Sequence, residues 1–169
     1  MRRVKLLLLL LCTLSCTYAK QATLNLYNWD GYLPNDIIHL FEKKTGIHVN
    51  FATFPDNDTL FTKLKLNPHS YDLVVPSGYY VDRLRQANLL QPLQRNKLHY
   101  VQHIMPFLTH PAFDPHDQYS IPYFWGTTLI AINTQLLPHA HVRRWRDLWS
   151  PRFKQKLLLL DEPREVFAM

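Results

Sequence analysis

Between Leu24 and Asn88 the chain alternates short β-favouring runs with stretches that repeat apolar residues at helical spacing, and no other feature constrains the fold as much. Leu24, Leu26 and Tyr27 read as a strand. Asn28 to Leu33 breaks it, and Pro34 sits where a helix begins, because its fixed φ and missing N–H suit the first helical position. Asn35 to Lys44 then places Ile37, Ile38, Leu40 and Phe41 toward one side, with Gly46 at the position of a C-cap. Ile47 to Phe51 alternates apolar with polar, as a half-buried strand does. Asp56 to Asp58 caps a second helix that ends at Leu66 and carries Leu60, Phe61 and Leu64 as its apolar stripe. Tyr71 to Val75 is a nearly unbroken apolar run ahead of Pro76-Ser77-Gly78, the pattern of a strand buried on both faces of a parallel sheet. Tyr79 to Asn88 supplies another helix, with Val81, Leu84 and Ala87 at helical spacing. This order predicts an α/β domain with a twisted, mainly parallel sheet.

Beyond Asn88 the pattern is less regular. Leu89 to Leu93 reads as a short extended piece, and the stretch from Asn96 to Asp117, rich in His and Pro, as loop apart from a short helix over Lys97 to His103. Thr127 to Asn133 is β-rich and predicts a long strand; Trp145 to Trp149 predicts one or two helical turns, and Lys156 to Leu160 another buried strand. Asp161-Glu162-Pro163 opens a helix that reaches Met169 after one or two turns, so the polypeptide reads as cut off. There are no internal repeats.

Met1 to Ala19 has the layout of a secretory signal peptide: Arg2, Arg3 and Lys5, then leucines from Leu6 to Leu11, then Thr17-Tyr18-Ala19 with small residues where a signal peptidase cuts, before Lys20. The apolar core is too short to span a bilayer as a mature helix. Cys16 offers a lipoprotein alternative, but Thr13-Leu14-Ser15 ahead of it lacks an aliphatic residue at the first position, which favours soluble export. Both cysteines, Cys12 and Cys16, fall in this leader, leaving no thiol or disulfide chemistry to the mature chain. Loss of three leader cations leaves 16 basic against 13 acidic residues, and the net charge falls from +6 to +3. The remaining cations are scattered, the nearest cluster being Arg143, Arg144 and Arg146, with no basic stripe to track phosphates. Nucleic acid is not an expected partner. About 150 mature residues suffice for one domain of ordinary size.

Three turns share one position, each following a strand: Trp29 to Tyr32, Ser77 to Tyr79 and Glu162 to Glu165. Ligands of open α/β sheets bind outside the carboxyl ends of strands, so these turns are candidates to line one crevice. The first carries two large aromatics and a carboxylate, an unusual load for a connector, although Trp29 and Tyr32 are equally compatible with folding back on the core. Aromatic faces from Trp29, Tyr32 and Tyr79 with carboxylates from Asp30, Glu162 and Glu165 would suit an organic amine. Glu162 and Glu165 are also explained by favouring the start of their own helix through its dipole.

The nine histidines raise a metal reading, through His99 with His103 or His139 with His141, but neither pair has an acidic or Cys partner at ligand spacing, and surface histidines account for them. Asp161, Glu162 and Glu165 resemble an acid/base set, yet no nucleophile elbow, phosphate loop or triad accompanies them and the chain has four glycines in all. A binder without a cofactor or metal is expected, not an enzyme.

Four blocks then carry a resemblance. Tyr27-Asn28-Trp29-Asp30-Gly31-Tyr32, the run from Tyr71 to Asp82, Tyr119-Ser120-Ile121-Pro122-Tyr123-Phe124-Trp125-Gly126-Thr127, and Arg164-Glu165-Val166-Phe167-Ala168-Met169 closely resemble the bacterial periplasmic spermidine/putrescine-binding proteins of polyamine ABC transporters, in family order. The resemblance implies a periplasmic-binding-protein-like (type II) fold of two α/β lobes joined by crossing strands. The first lobe would occupy 20–133 without its return segment, and an incomplete second lobe would begin over 134–169. It also implies a monomeric receptor that delivers a polyamine to a membrane permease. Trp29 and Tyr32 would line the cleft, Ser77 and Tyr79 would contact the ligand from the same lobe, and Glu162 and Glu165 would take its amino groups from the other. Two departures bear on which polyamine fits. The family usually has a hydroxyl after the tryptophan and an acid next, whereas here the acid is Asp30 and Gly31 follows; and Glu162 stands where an aspartate is common. Family members also continue far beyond this point, so the chain alone is expected to bind weakly or not at all. The competing expectation is a truncated remnant, or half of a split gene, with no independent ligand binding.

Overall fold

The computed structural model describes residues 21–168, and the leader read at 1–19 lies outside the described residues. The chain divides into two compact units, one ending at Gln91 and the other beginning at Pro92.

In the first unit, strands β1 (Thr23–Trp29), β2 (His48–Phe54) and β3 (Leu73–Val74) form a parallel sheet in the order β2-β1-β3. Helix α1 (Asn35–Thr45) connects β1 to β2, α2 (Asn57–Leu66) connects β2 to β3, and α3 (Gly78–Gln86) follows β3. Because successive side chains of a strand point to opposite faces, Leu26 and Tyr27 of β1 enter different cores. Leu26 packs with Ile38 of α1 and Val49, while Tyr27 packs with Phe54, with Leu60 and Leu64 of α2 and with Leu84 of α3. The central strand is thus covered on both sides, and each large apolar side chain so buried contributes roughly 1.5–3 kcal/mol. Tyr71 stacks on Tyr27 with ring centroids 4.4 Å apart, and the Lys63 ammonium lies 5.0 Å from the Tyr27 centroid.

Local chemistry sets the element ends. Gly46 adopts φ +72° and its N–H donates to the Glu42 carbonyl at 2.8 Å, closing α1 in a conformation that a residue with a Cβ disfavours. Asp56 caps α2, its carboxylate accepting from the Thr59 N–H at 2.7 Å and from the Thr59 hydroxyl at 2.8 Å. Pro34 precedes the first helical position instead of filling it: its carbonyl already accepts from the Ile37 N–H at 3.1 Å. At the amino end of the sheet, Asp72 accepts from the Asn25 N–H at 2.7 Å and from its side-chain amide at 2.9 Å, and Asn50 donates to the Asn25 side chain at 2.9 Å.

Several sequence expectations change. The third strand pairs only over two residues, and Leu73 is 49% exposed, because β3 is an edge strand and its two faces are not equally covered. In the second unit no strand occurs among the described residues. Thr127 to Asn133 and Lys156 to Leu160 run without a ladder, and Leu158 is 98% exposed instead of buried. Their β-favouring composition suits a pleated, half-buried surface, and no partner strand supplies one. The helix expected over Lys97 to His103 is two separate 3₁₀ turns, Arg95–Lys97 and Val101–His103, parted at Leu98, whose φ −98° and ψ 88° are not helical. Trp145–Trp149 does form a 3₁₀ helix, and Pro163–Ala168 forms the last helix, α4.

Candidate functional site

All three loops at the carboxyl edge of the first unit's sheet carry polar or aromatic side chains. The strand order makes β1 the place where the chain switches direction: the first connection leads to β2 on one side and the next crosses to β3 on the other. A crevice forms outside the carboxyl end of a strand at such a point. The turn after β1 holds Trp29, Asp30 and Tyr32, and the turn after the neighbouring β3 holds Ser77 and Tyr79.

Trp29 ends β1 opposite Phe54 of β2, and the two rings lie 4.7 Å apart. That contact anchors one side of the indole while leaving it only half-buried. The Trp29 main-chain N–H donates to the Asn28 side-chain carbonyl at 2.8 Å, and Asn28 itself is buried. Gly31 at φ +72° reverses the chain, so that the Tyr32 ring returns to 6.1 Å from Trp29 and stays 41% exposed. Asp30, at the tip of the turn, is exposed. The two aromatics are therefore neither core residues nor isolated: one is braced by the core, and both present ring surface.

Ser77 occupies the N-cap position of α3 without a side-chain capping bond, and Tyr79 lies in the first turn, 38% exposed and edge-on to the buried Tyr80 at 5.3 Å. Both are tied to Asn57, the first residue of α2, which sequence reasoning passed over. Its side-chain carbonyl accepts from the Ser77 N–H at 2.9 Å, and its amide nitrogen donates to the Ser77 hydroxyl and the Tyr79 hydroxyl, each at 3.1 Å. Nothing in the sequence marks this contact across twenty positions.

Glu162 and Glu165 belong to the second unit, where the Glu162 carbonyl accepts from the Glu165 N–H at 3.1 Å in the first turn of α4 and both side chains are half-buried. A hollow of about 380 Å³ in the same unit is lined by Leu148, Trp149, Phe153 and Leu157, with Lys154 as its one charged group. That lining is apolar and cationic, the wrong chemistry for an amine. No group of three or more His, Cys, Asp or Glu placed to hold a metal occurs among the described residues. The closest approach of such groups is structural: Glu42 accepts from the Val49 N–H at 2.9 Å and meets His48 Nδ1 at 2.7 Å, and the Val49 N–H foremost holds its carboxyl below the usual range.

The family model for bacterial extracellular solute-binding proteins matches residues 36–169. The chain belongs to this family. Among its relatives, a spermidine/putrescine-binding periplasmic protein of Salmonella typhimurium is 42% identical over 148 residues, covering 87% of this chain and 42% of the relative. The putrescine-binding periplasmic protein PotF of Escherichia coli is 36% identical over 162 residues, covering 89% of this chain and 44% of the relative. Among solved structures, one from Listeria monocytogenes assigned to spermidine/putrescine ABC transport has a TM-score of 0.80 at 38% identity, covering 85% of this chain and 45% of that one. The spermidine/putrescine ABC transporter substrate-binding protein PotD of Streptococcus pneumoniae has a TM-score of 0.68 at 34% identity over 78% of this chain and 41% of that one. The chain spans less than half the length of the relatives it matches. The α/β fold with a parallel sheet is that of a solute-binding protein lobe.

Proposed function

We propose that this chain supplies the polyamine-binding wall of a periplasmic solute-binding protein that captures spermidine or putrescine and hands it to the permease of an ABC importer. The observation that carries this reading is the pairing of a braced aromatic turn, Trp29 to Tyr32, with the Ser77 to Tyr79 turn at the carboxyl ends of neighbouring strands, in a chain whose relatives are named for polyamines. Polyamines are flexible methylene chains with two or more ammonium groups. Ring faces take the methylenes and the cationic charge together, each contact contributing roughly 0.5–2 kcal/mol. Hydroxyls of Ser77 and Tyr79 accept from ammonium N–H groups, and Asp30, Glu162 and Glu165 supply the compensating negative charge.

In this reading the protein is a monomeric binder, not an enzyme; it needs neither cofactor nor nucleic acid, and it works in the periplasm. The family lobes run over 20–133 and from 134 onward. Because the relatives extend beyond the matched stretch, the test uses this chain joined to the part of the Salmonella relative that lies beyond the match. Calorimetric titration with spermidine and with putrescine is expected to give saturable heat at one ligand per protein, and 1,8-octanediol, similar in length but uncharged, none. Heat from the diol equal to that from spermidine, or none from either amine, would overturn the assignment.

A further inference from the structure

The candidate wall has a support that neither its sequence nor its family membership identifies. Asn57 has 0% of its surface exposed, yet it opens α2 on the loop after β2, two strands away from β3 in the sheet order. A buried amide left unpaired is costly, so its position implies that its partners matter. Three hydrogen bonds of its side chain go to the turn after β3: one to the Ser77 N–H, one to the Ser77 hydroxyl and one to the Tyr79 hydroxyl. A main-chain N–H can only donate, so the atom facing Ser77 N must be the side-chain carbonyl, and the amide nitrogen must face the two hydroxyls. The orientation of the amide is therefore fixed by chemistry.

We propose that Asn57 is a positioning residue for ligand binding: it bridges the loops after β2 and β3 and holds the Ser77 and Tyr79 hydroxyls at the carboxyl edge of the sheet. The role in binding rests on the polyamine reading above; the positioning does not. Tyr79 is 38% exposed at the start of its helix, and loss of the bridge removes one of the contacts that hold its phenol, so that a ligand would bear more of the cost of ordering it. With the bridge, part of that cost is met before the ligand arrives.

The test uses the full chain, isotope-labelled, with two readouts. The first needs no ligand. In Asn57→Leu, similar in volume but without a polar atom, exchange of the Ser77 amide proton with solvent is expected to speed up at least about tenfold and the Tyr79 ring signals to shift, while amides of Leu26 and Tyr27 keep their protection. Asn57→Asp, which keeps an oxygen for the Ser77 N–H, is expected to restore that protection; a role in filling volume alone would not distinguish the two variants. Asn57→Ser, too short to reach both hydroxyls, replaces the leucine variant if that one does not fold. The second readout is the set of shift changes at Ser77 and Tyr79 when spermidine is titrated into the chain joined to the remainder of its Salmonella relative, expected to need several-fold more spermidine in Asn57→Leu. Unchanged Ser77 exchange and Tyr79 signals in Asn57→Leu would overturn the positioning role. Loss of both together with an unchanged spermidine response would overturn its part in binding. An unaltered joined protein whose Ser77 and Tyr79 depend on Asn57 but do not respond to spermidine supports the positioning and contradicts the polyamine reading.

Discussion

Asp114 shows what a single carboxylate does in the less regular second unit. It is buried, and it accepts from the main-chain N–H groups of Gln118, Tyr119 and Ser120 and from the Ser120 hydroxyl, all within 2.9 to 3.0 Å. Burial pushes its carboxyl up, but the Tyr119, Gln118 and Ser120 donors outweigh burial and hold it below the usual range. A carboxylate lowered on folding stabilises the fold above its unfolded value and loses that contribution as pH falls through the lowered folded value. The Tyr119 and Ser120 amides are therefore expected to lose protection on acidification through that window. In Asp114→Asn, where an amide nitrogen faces N–H donors, the loss is expected already at neutral pH, at a cost of about 2 kcal/mol, read by amide exchange and denaturant unfolding. Residue-scale features of this kind were only partly legible. The load of the Trp29 to Tyr32 turn stood out because turns favour small residues, and Gly31 at φ +72° explains how a tight reversal carries two large rings. Asn57 did not stand out, because a polar residue beside Asp56 at a helix start looks like part of the cap. Only the tertiary contact gives it another role.

At the scale of elements, β1, α1, β2, α2 and α3 were legible because their signals are local: apolar periodicity, the Gly46 C-cap and the Asp56 N-cap each specify a neighbour a few residues away. The Asp56 cap is testable by itself. Asp56→Ala removes the acceptor for the Thr59 N–H and hydroxyl and is expected to cost about 1 kcal/mol of stability, measured as a lower midpoint in urea with an unchanged slope. A change under about 0.3 kcal/mol would show that the cap adds nothing beyond packing. Thr127 to Asn133 and Lys156 to Leu160 failed as strands for the opposite reason. Strand formation depends on a partner far away in sequence, and composition reports only how well a segment would fit a sheet if one were offered. The same dependence explains why the apolar run at Tyr71 to Val75 overstated β3, whose edge position leaves Leu73 exposed.

At the scale of the molecule, each of the two units carries part of the candidate chemistry. The first contributes aromatic rings and hydroxyls with Asp30, and the second contributes Glu162 and Glu165. In the proposed function a polyamine would meet ring faces along its methylenes and carboxylates at its charged ends. The measurement that tests this most directly is calorimetric titration of spermidine into the chain joined to the remainder of its Salmonella relative, comparing the unaltered protein with Trp29→Ala and Glu165→Gln. The account predicts that Trp29→Ala weakens spermidine binding by roughly threefold to thirtyfold and Glu165→Gln by about tenfold, as loss of a ring contact and of an ion-paired carboxylate imply. Affinities within about twofold of the unaltered protein, in variants that remain folded, would contradict it.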